Sequence, residues 1–286
     1  MVNQTSKHPS IADFRRFYAE FVVRGSGSSN ATLIEAFASV QREDFVGPGP
    51  WDIFVGTGYL RTISDDPCLL YQDVLVALAP ERQINNGQPS LHARCLDAIA
   101  PAIGESVAHL GAGTGYYTAI LSTLVGPTGG VFAVEREADL ADRARKCLEA
   151  FPNVKVHTGS ATEVPFPPCD VIYVNAGATD PAHEWLGRLR VGGRLVLPLT
   201  GSDGIGFMLL VTKKGEGRFA ASALMRAAFI PCMGARNDDT AASITAALER
   251  QSLRDVRSLR LGTPPDACAW CVGDGWWLSK AELDGP

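Results

Sequence analysis

The stretch SVAHLGAGTGYYTAILSTL, residues 106–124, decides the fold class of this 286-residue chain. Its first five residues form a short apolar run that is typical of a buried strand, and the run from Tyr116 to Leu124 predicts a helix. Between them lies a glycine-rich turn, Gly111 to Gly115. Such a turn lets a ligand approach the backbone closely, and the N-terminus of the next helix presents N–H groups to it. The stretch therefore predicts a strand, a ligand-binding turn and a helix.

The alternation of strand and helix continues on both sides of this stretch. A helix is predicted at 90–100 and another at 138–151, and the predicted strands are at 130–134, 154–157, 171–174 and 194–197. Strands that alternate with helices of this length form right-handed βαβ units and a mainly parallel sheet. We therefore predict an α/β fold in which helices flank a mainly parallel sheet.

The composition of the chain changes on either side of this α/β region. We predict an N-terminal helical region at 1–78, in which Ile11, Phe14, Phe17, Tyr18 and Phe21 have the spacing of one helix face. The α/β domain is assigned to 79–235, and a small C-terminal β/α extension to 236–286.

Charge and composition restrict the partners. The formal net charge is −5, from 26 basic and 31 acidic residues, which argues against binding to nucleic acid or to an anionic membrane surface. A protein, peptide or small molecule is the expected partner. No apolar run reaches the roughly 18 residues of a membrane span, and MVNQTSKHPSIADF lacks the apolar segment of a secretion signal. We expect a cytoplasmic protein, and nothing in the sequence predicts its oligomeric state.

The seven cysteines are scattered and odd in number, as reduced cytosolic thiols are. Cys268 and Cys271 have CxxC spacing, but a zinc site would need two more ligands and no second CxxC or HxxxH occurs. A redox pair normally opens a helix after a strand, whereas ACAWCVGDGWWL resembles a strand and turn. We therefore predict packed cysteines and no metal site.

The ligand of the glycine turn is indicated by its spacing. A dinucleotide-binding turn follows G-x-G-x-x-G, but Tyr116 occupies the last position here and the spacing is GxGxG. Glu135 ends the next predicted strand, twenty residues after Gly115, where a carboxylate can accept hydrogen bonds from both ribose hydroxyls of an adenosine. Nicotinamide and adenosylmethionine proteins both use such an acid. The missing final glycine, together with a third loop at 159–161, favours S-adenosylmethionine.

Several stretches of this chain, taken together, resemble the protein-L-isoaspartate O-methyltransferases, within the class I S-adenosylmethionine-dependent methyltransferases. The resemblance covers roughly residues 30 to 235 and implies a Rossmann-like fold. The matching stretches are LIEAFASVQREDFV at 33–46, GQPSLHARCLDAI at 87–99, VAHLGAGTGYYTAIL at 107–121, VFAVERE at 131–137, CDVIYVNAGA at 169–178, LRVGGRLVLPL at 189–199 and RFAASALMRAAFIPCMG at 218–234.

The resemblance implies roles for matched positions. The residues implied to bind S-adenosylmethionine are Gly111, Ala112, Gly113, Thr114 and Gly115 around its methionine and ribose, Glu135 and Arg136 at the ribose, Gly159, Ser160 and Ala161 at the adenine, and Asn175 and Ala176 near the sulfur. The residues implied to hold the substrate are Asn85, Asn86, Gly87, Gln88, Pro89 and His92.

Three departures from the family pattern stand out. Asn86 and Gly87 replace the usual Ile-Ser, which removes the hydroxyl next to the transferred methyl. His109 replaces an acid two residues before the glycine turn, and Ser160 replaces an aspartate in the third loop. The cofactor is therefore expected to have fewer charged contacts here.

The predicted activity is esterification of a carboxylate of isoaspartyl or aspartyl residues in proteins or peptides. A carboxylate with a pKa near 4 is ionised at pH 7 and needs no general base. No catalytic residue is assigned, because His92 and His183 have no orienting partner nearby in the sequence. Two alternatives stay open: a methyltransferase of a natural product or modified peptide, and an inactive cofactor-binding module.

Overall fold

The fold is given by a computed structural model that describes residues 8–283. Residues 1–7 and 284–286, which belong to the predicted N-terminal region and C-terminal extension, lie outside the described residues. The chain divides into two compact units, one ending at Asp97 and the other beginning at Ala98. The predicted boundaries at 78/79 and 235/236 differ from this division and stay predictions.

The first unit contains helices and two short antiparallel pairs of strands. Its helices are α1 (Ile11–Gly25), α2 (Ala31–Ser39), α3 (Glu43–Val46) and α4 (Pro89–Ile99), the last of which runs into the second unit. Its strands are β1 (Asp52–Phe54), β2 (Tyr59–Arg61), β3 (Ala77–Ala79) and β4 (Ile84–Asn85), paired as β1 with β2 and β3 with β4. The region predicted to be helical therefore also contains strands. The glycines at 56 and 58 allow a tight turn between β1 and β2.

Helix α1 shows where the sequence pattern was wrong. Its start is fixed by a capping box in which Ser10 and Asp13 satisfy each other's backbone N–H groups. The predicted apolar face is only partly correct, since Tyr18 is buried but Phe17 is 70% exposed. The buried residues of α1 are Tyr18, Ala19, Val22 and Val23, and the helix packs against α2.

The second unit is built on one ten-stranded sheet. Its strands are β5 (Ser106–Leu110), β6 (Gly130–Glu135), β7 (Val154–Thr158), β8 (Cys169–Val174), β9 (Leu189–Thr200), β10 (Ile205–Gly215), β11 (Arg218–Ala228), β12 (Ser258–Leu261), β13 (Ala269–Val272) and β14 (Trp276–Ser279). Their order is β13-β14-β12-β11-β10-β9-β8-β5-β6-β7. Strands β5 to β9 pair in parallel and the rest are antiparallel. Its helices are α5 (Tyr116–Val125), α6 (Ala138–Cys147), α7 (His183–Arg188) and α8 (Asp238–Arg250). The predicted α/β fold class is confirmed, but the sheet is mixed rather than mainly parallel, because β10 to β14 extend it with antiparallel pairings.

The C-terminal segment continues the main sheet. Strand β12 pairs with β11, and β14 lies between β12 and β13. Helix α8 contacts β9, β10 and β13. The buried residues of this segment, which include Trp270 and Leu278, join the same apolar core as the parallel strands.

Strand order places the ligand crevice. The chain runs from β5 outward to β6 and β7, then returns to the other side of β5 with β8 and β9. In open α/β sheets, ligands bind outside the carboxyl ends of the strands at such a reversal. The crevice is therefore expected between the loops that follow β5 and β8. Within residues 8–283, no helix is long and apolar enough to cross a membrane.

Candidate cofactor-binding site

The turn between β5 and α5 depends on left-handed backbone conformations. Gly111, Gly113 and Gly115 have φ values of +82°, +56° and +97°, which residues with a Cβ adopt only at a cost. A Cβ at Gly115 would also lie 2.6 Å from Leu148 Cδ1. The N–H groups of Gly111 and Ala112 both donate to the carbonyl oxygen of Val134, which fixes the turn against β6. The N-cap of α5 is Gly115, which has no side chain to cap the first N–H groups of the helix.

The predicted acid and the turn are in direct contact. The N–H of Gly113 donates to Glu135 Oε2 at 2.6 Å, and the N–H of Glu137 donates to Oε1 at 2.9 Å. Glu135 is buried, and burial raises the pKa of its carboxyl, partly offset by these backbone hydrogen bonds. A carboxylate has more acceptor positions than two N–H groups occupy, so Glu135 can accept hydroxyl groups as well. Arg136, the next residue, is exposed.

The third predicted loop lies beside Glu135. The N–H of Gly159 donates to the backbone carbonyl of Glu135 at 2.9 Å, which joins the ends of β6 and β7. Within the loop, the hydroxyl of Ser160 lies 3.0 Å from that of Thr162. The carbonyl oxygen of Ala161 accepts the indole N–H of Trp185 at 2.9 Å. The hydrogen bonds with Glu135 and Trp185 hold this loop at the same edge of the sheet as the glycine turn.

Asn175 and Ala176 follow β8 and form the opposite wall. The N–H of Asn175 donates to the carbonyl of Leu110 at 2.8 Å. A Cβ at Gly111 would lie 3.4 Å from the backbone carbonyl of Asn175, so the two loops touch. The side-chain Oδ1 of Asn175 is buried without a hydrogen-bond partner among the described residues. Such an atom needs a donor, which a bound ligand can supply.

The sequence model described as Protein-L-isoaspartate(D-aspartate) O-methyltransferase matches residues 23–237. The chain belongs to this family. The protein-L-isoaspartate O-methyltransferase of Syntrophotalea carbinolica is 30% identical over 224 residues, which are 77% of this chain and 93% of that protein. Its counterpart from Ignicoccus hospitalis is 32% identical over 167 residues, which are 57% of this chain and 78% of that protein. A solved protein-L-isoaspartate O-methyltransferase aligns with a TM-score of 0.65 and 25% identity, covering 82% of this chain and 68% of its own.

Membership of the isoaspartyl methyltransferase family makes S-adenosyl-L-methionine the methyl donor of this chain. The residues present fit this cofactor. The turn carries no Cβ at Gly113, the carboxylate of Glu135 can accept ribose hydroxyls, and the buried Oδ1 of Asn175 needs a donor. The carboxyl ends of β5, β6, β7 and β8 bring all four predicted cofactor segments together. Their individual roles stay predictions.

His109 replaces the acid of the isoaspartyl methyltransferase pattern with a neutral pair. Its ring is fully buried, and burial lowers the pKa of the imidazole to about 3. Nε2 lies 2.7 Å from Asn175 Nδ2, and Nδ1 lies 2.7 Å from the hydroxyl of Thr118. Because an amide nitrogen only donates, Nε2 accepts and the ring proton is on Nδ1. The ring also stacks on Tyr173 at 5.5 Å. His109 therefore orients the Asn175 amide.

The predicted substrate segment, Asn85 to Pro89, lies in the first unit. Asn85 ends β4, and its Oδ1 accepts the N–H of Gly87 at 2.9 Å. Asn86 is buried, and its Oδ1 accepts the N–H of Val76 at 2.9 Å. Gln88 and Ser90 donate to the carboxylate of Asp73, which caps the start of α4. Hydrogen bonds with Val76 and Asp73 therefore hold the segment in place. That it contacts the substrate stays a prediction.

His92 accounts for the glycine at position 87. Gly87 has φ +74°, and a Cβ there would lie 2.0 Å from Nε2 of His92. No serine fits this position while His92 keeps its rotamer. His92 itself is 2% exposed and packs against Gly87. The position of His92 therefore excludes a side chain, and with it a hydroxyl, at position 87.

Three residues that hold predicted segments in place were not identified in the sequence analysis, because each acts through another residue. Thr118 holds His109 from helix α5. Arg42 is fully buried and donates to the backbone carbonyls of the segment before β3 and to Asn86, 44 residues away. Asp180 gathers donors from the C-terminal segment. Arg42 and Thr118 lie within stretches that carried the family resemblance, at 33–46 and 107–121, whereas Asp180 lies outside them.

Proposed function

We propose that this chain esterifies a carboxylate of isoaspartyl residues in proteins or peptides with the methyl group of S-adenosyl-L-methionine. The observation that carries the proposal is the hydrogen bond from the Gly113 N–H to the buried Glu135 carboxylate. It joins the glycine turn to an acid at the carboxyl ends of adjacent parallel strands, within a chain that the isoaspartyl methyltransferase model matches over residues 23–237. The turn and the acid together form an adenosine-binding arrangement.

The residues of this chain contribute to the reaction by positioning the methyl donor and the acceptor. S-adenosyl-L-methionine supplies a methyl group already activated by its sulfonium. Alignment of two reacting groups can contribute about 7–11 kcal/mol to the lowering of a barrier. Glu135 and the glycine turn bind the donor, while the loop from Asn175 closes the other side of the crevice.

The acceptor requires no base from the protein. An aspartyl-type carboxylate has a pKa near 4 and is ionised at neutral pH. The buried His109 beside Asn175 has both ring nitrogens in hydrogen bonds and remains neutral, so it does not take up a proton at that pH. An acceptor that is already a nucleophile does not require it to do so.

The test is methyl transfer from methyl-labelled S-adenosyl-L-methionine to a peptide that contains one isoaspartyl residue. The expected product is a base-labile methyl ester. The same peptide with an ordinary aspartyl residue is the control and is expected to be a poorer acceptor. Absence of ester on the isoaspartyl peptide, with S-adenosyl-L-homocysteine binding intact, would refute the acceptor and leave the cofactor assignment standing.

A variant pair tests the site itself. Glu135→Gln removes the charge that receives the Gly113 N–H, and we expect a loss of about tenfold or more in affinity for S-adenosyl-L-homocysteine, because hydrogen bonds to charged groups contribute about 1.5–3 kcal/mol. Glu149→Gln changes an exposed glutamate two residues beyond α6 and is the matched control. Equal affinities in the two variants would remove Glu135 from the site.

The glycine at position 87 supports a second candidate. Because Asn86 and Gly87 replace the residues that the family pattern places there, and a segment follows the family match, the second candidate is a methyltransferase of a natural product or modified peptide. Cofactor binding with ester formation only on such a substrate is the distinguishing result.

We also propose that the protein acts in the cytoplasm and does not use nucleic acid as a substrate. All seven cysteines are free thiols, as in a reducing compartment. The net charge of −5 suits a peptide better than a polyanion.

A further inference from the structure

The C-terminal segment lies beyond the part of the chain that the family model matches. The match ends at residue 237, and α8 and β12 to β14 follow it. The segment is nevertheless packed into the same core as the parallel strands. Two of its side chains, Trp276 and Thr240, reach the loop that follows Asn175 and Ala176.

That loop, residues 177–180, directly follows Asn175 and Ala176. Its backbone is tied to neighbouring strands: the N–H of Gly177 donates to Ile230 O at 2.8 Å, and the N–H of Ala178 donates to Pro198 O at 3.0 Å. These bonds hold its first half from the family-matched part of the chain. In its second half the N–H of Thr179 donates to Ala235 O at 2.9 Å, and the side chains of Thr179 and Asp180 make further hydrogen bonds.

Asp180 is the point at which the C-terminal segment reaches this loop. The indole N–H of Trp276 donates to Asp180 Oδ1 at 2.8 Å, across 96 residues of sequence. The hydroxyl of Thr240 at the start of α8 lies 3.4 Å from the same oxygen. The other oxygen, Oδ2, accepts the hydroxyl of Thr179 at 2.6 Å. Two of the three donors therefore come from beyond the family match.

Thr179 makes the second connection. Its hydroxyl accepts the N–H of Asn237 at 2.8 Å, and Asn237 is the N-cap of α8, where its own Oδ1 accepts the N–H of Thr240. The loop and the first turn of α8 thus share a single hydrogen-bonded network. Hydrogen bonds to a carboxylate are stronger than hydrogen bonds between neutral groups.

We propose that the C-terminal segment is a positioning element of the methyltransferase site, and that the Trp276–Asp180 hydrogen bond holds the 177–180 loop where cofactor binding requires it. The inference rests on the proposed function, since the loop matters only if Asn175 and Ala176 border the cofactor. Trp276 and Asp180 are positioning residues that act through the loop and touch no reacting atom.

The experiment compares two tryptophans of the same strand. Trp276→Phe removes the indole N–H and keeps an aromatic ring in the core. Trp277→Phe makes the same change at a side chain that is equally buried but donates to Thr263 instead. For each full-length variant we would measure the Kd for S-adenosyl-L-homocysteine, the KM and kcat for methyl transfer, the thermal midpoint, and amide hydrogen exchange at 177–180.

For Trp276→Phe we expect a Kd and a KM for S-adenosyl-L-methionine raised about three- to tenfold, the range expected for partial loss of one charge-assisted hydrogen bond, with faster exchange in the loop. Trp277→Phe should leave the Kd and the KM within about twofold of the wild-type values. The two variants should lose similar thermal stability. Wild-type cofactor affinity and loop exchange in Trp276→Phe would overturn the inference. So would equal effects in the two variants.

A second pair covers the case in which Trp276→Phe does not fold. Thr179→Val breaks the connection between Asp180 and Asn237, while Thr245→Val removes a hydroxyl on α8 that bonds to Ser202 and Ala241 outside the loop. Only the former is expected to weaken S-adenosyl-L-homocysteine binding. These binding and exchange measurements need no methyl acceptor. Failure of the isoaspartyl assignment would therefore show as wild-type binding without ester, separately from failure of this inference.

Discussion

The carboxamide nitrogen of Asn175 lies 2.7 Å from Nε2 of His109, and this hydrogen bond joins the ends of two neighbouring parallel strands. It leaves Asn175 Oδ1 buried and without a partner among residues 8–283. A ring that stays neutral can hold the amide in one orientation without competing for the ligand. A protonated ring would donate from both nitrogens and force the amide to turn.

We expect the unfolding free energy to decrease as the pH falls, because of His109. The unfolded imidazole takes up a proton near its ordinary pKa of 6.5, whereas the folded pKa is lowered to about 3. Between these values the unfolded state binds more protons, so stability is fully present above pH 6.5 and is lost as the pH falls. His109→Gln should reduce the slope of the unfolding free energy against pH by about 1.4 kcal/mol per pH unit.

Urea unfolding across this pH range is the measurement, with His183→Gln as the control because His183 is exposed. The control is expected to keep the wild-type slope. Identical slopes for wild type and His109→Gln would show that His109 is protonated in the folded protein.

Cofactor affinity should also fall in acid, through Glu135. Burial raises the pKa of this carboxyl above its ordinary value of 4.5. The ionised form accepts the N–H of Gly113 and can accept ribose hydroxyls, whereas a protonated oxygen becomes a donor. We expect the Kd for S-adenosyl-L-homocysteine to rise as the pH falls through this raised pKa. Calorimetry at several pH values measures it, and in Glu135→Gln the same pH dependence should disappear.

The fold could be predicted because its signals are local. The strand, turn and helix at 106–124 lie together in sequence, and the acid that meets the turn ends the very next strand. The pairing of His109 with Asn175 could not be predicted in this way. It joins residues 66 positions apart and depends on β8 returning to the far side of β5, which no local pattern specifies.

The departure at position 87 illustrates the same limit. From the sequence, Gly87 was only a missing hydroxyl, because the residue that excludes a side chain there is on the first turns of α4. The prediction that placed Phe17 on the apolar face of α1 was wrong for a related reason. Periodicity identifies a helix but does not decide which of two apolar stripes becomes buried.

Restoring serine at position 87 should require a second change. Gly87→Ser places a Cβ at φ +74° and 2.0 Å from Nε2 of His92, so it carries both a backbone cost of about 1–2 kcal/mol and a clash. Gly56→Ser has a similar φ of +90° with no atom within 4 Å of the added Cβ, so it reports the backbone cost alone.

We expect Gly87→Ser to lower the unfolding free energy more than Gly56→Ser does, and Gly87→Ser combined with His92→Ala to recover the difference. Denaturant unfolding measures all three. Methyl transfer to the isoaspartyl peptide should rise in the double variant relative to Gly87→Ser alone. If the two single serine variants prove equally stable, His92 does not exclude a side chain at 87.

Arg42 provides the last prediction, because it is fully buried and its partners are backbone carbonyls rather than a carboxylate. The guanidinium donates to Leu70 O at 2.5 Å, to Gln72 O at 2.9 Å and to Val74 O at 2.6 Å, and it lies 3.5 Å from the Asn86 amide oxygen. A lysine ammonium cannot span these acceptors. Arg42→Lys should therefore cost about 2–4 kcal/mol of unfolding free energy, as expected when buried acceptors lose their donors.

The same variant should affect substrate more than cofactor. Arg42 holds Asn86, which belongs to the segment predicted to bind the peptide, so its loss should raise the KM for the isoaspartyl peptide and leave the Kd for S-adenosyl-L-homocysteine within about twofold, since the hydrogen bonds lost are local. Arg24→Lys, at an exposed arginine of α1, is the control for both measurements. A larger effect on the cofactor than on the peptide would mean that the 85–89 segment does not carry the substrate, because the anchor of that segment would then be acting elsewhere.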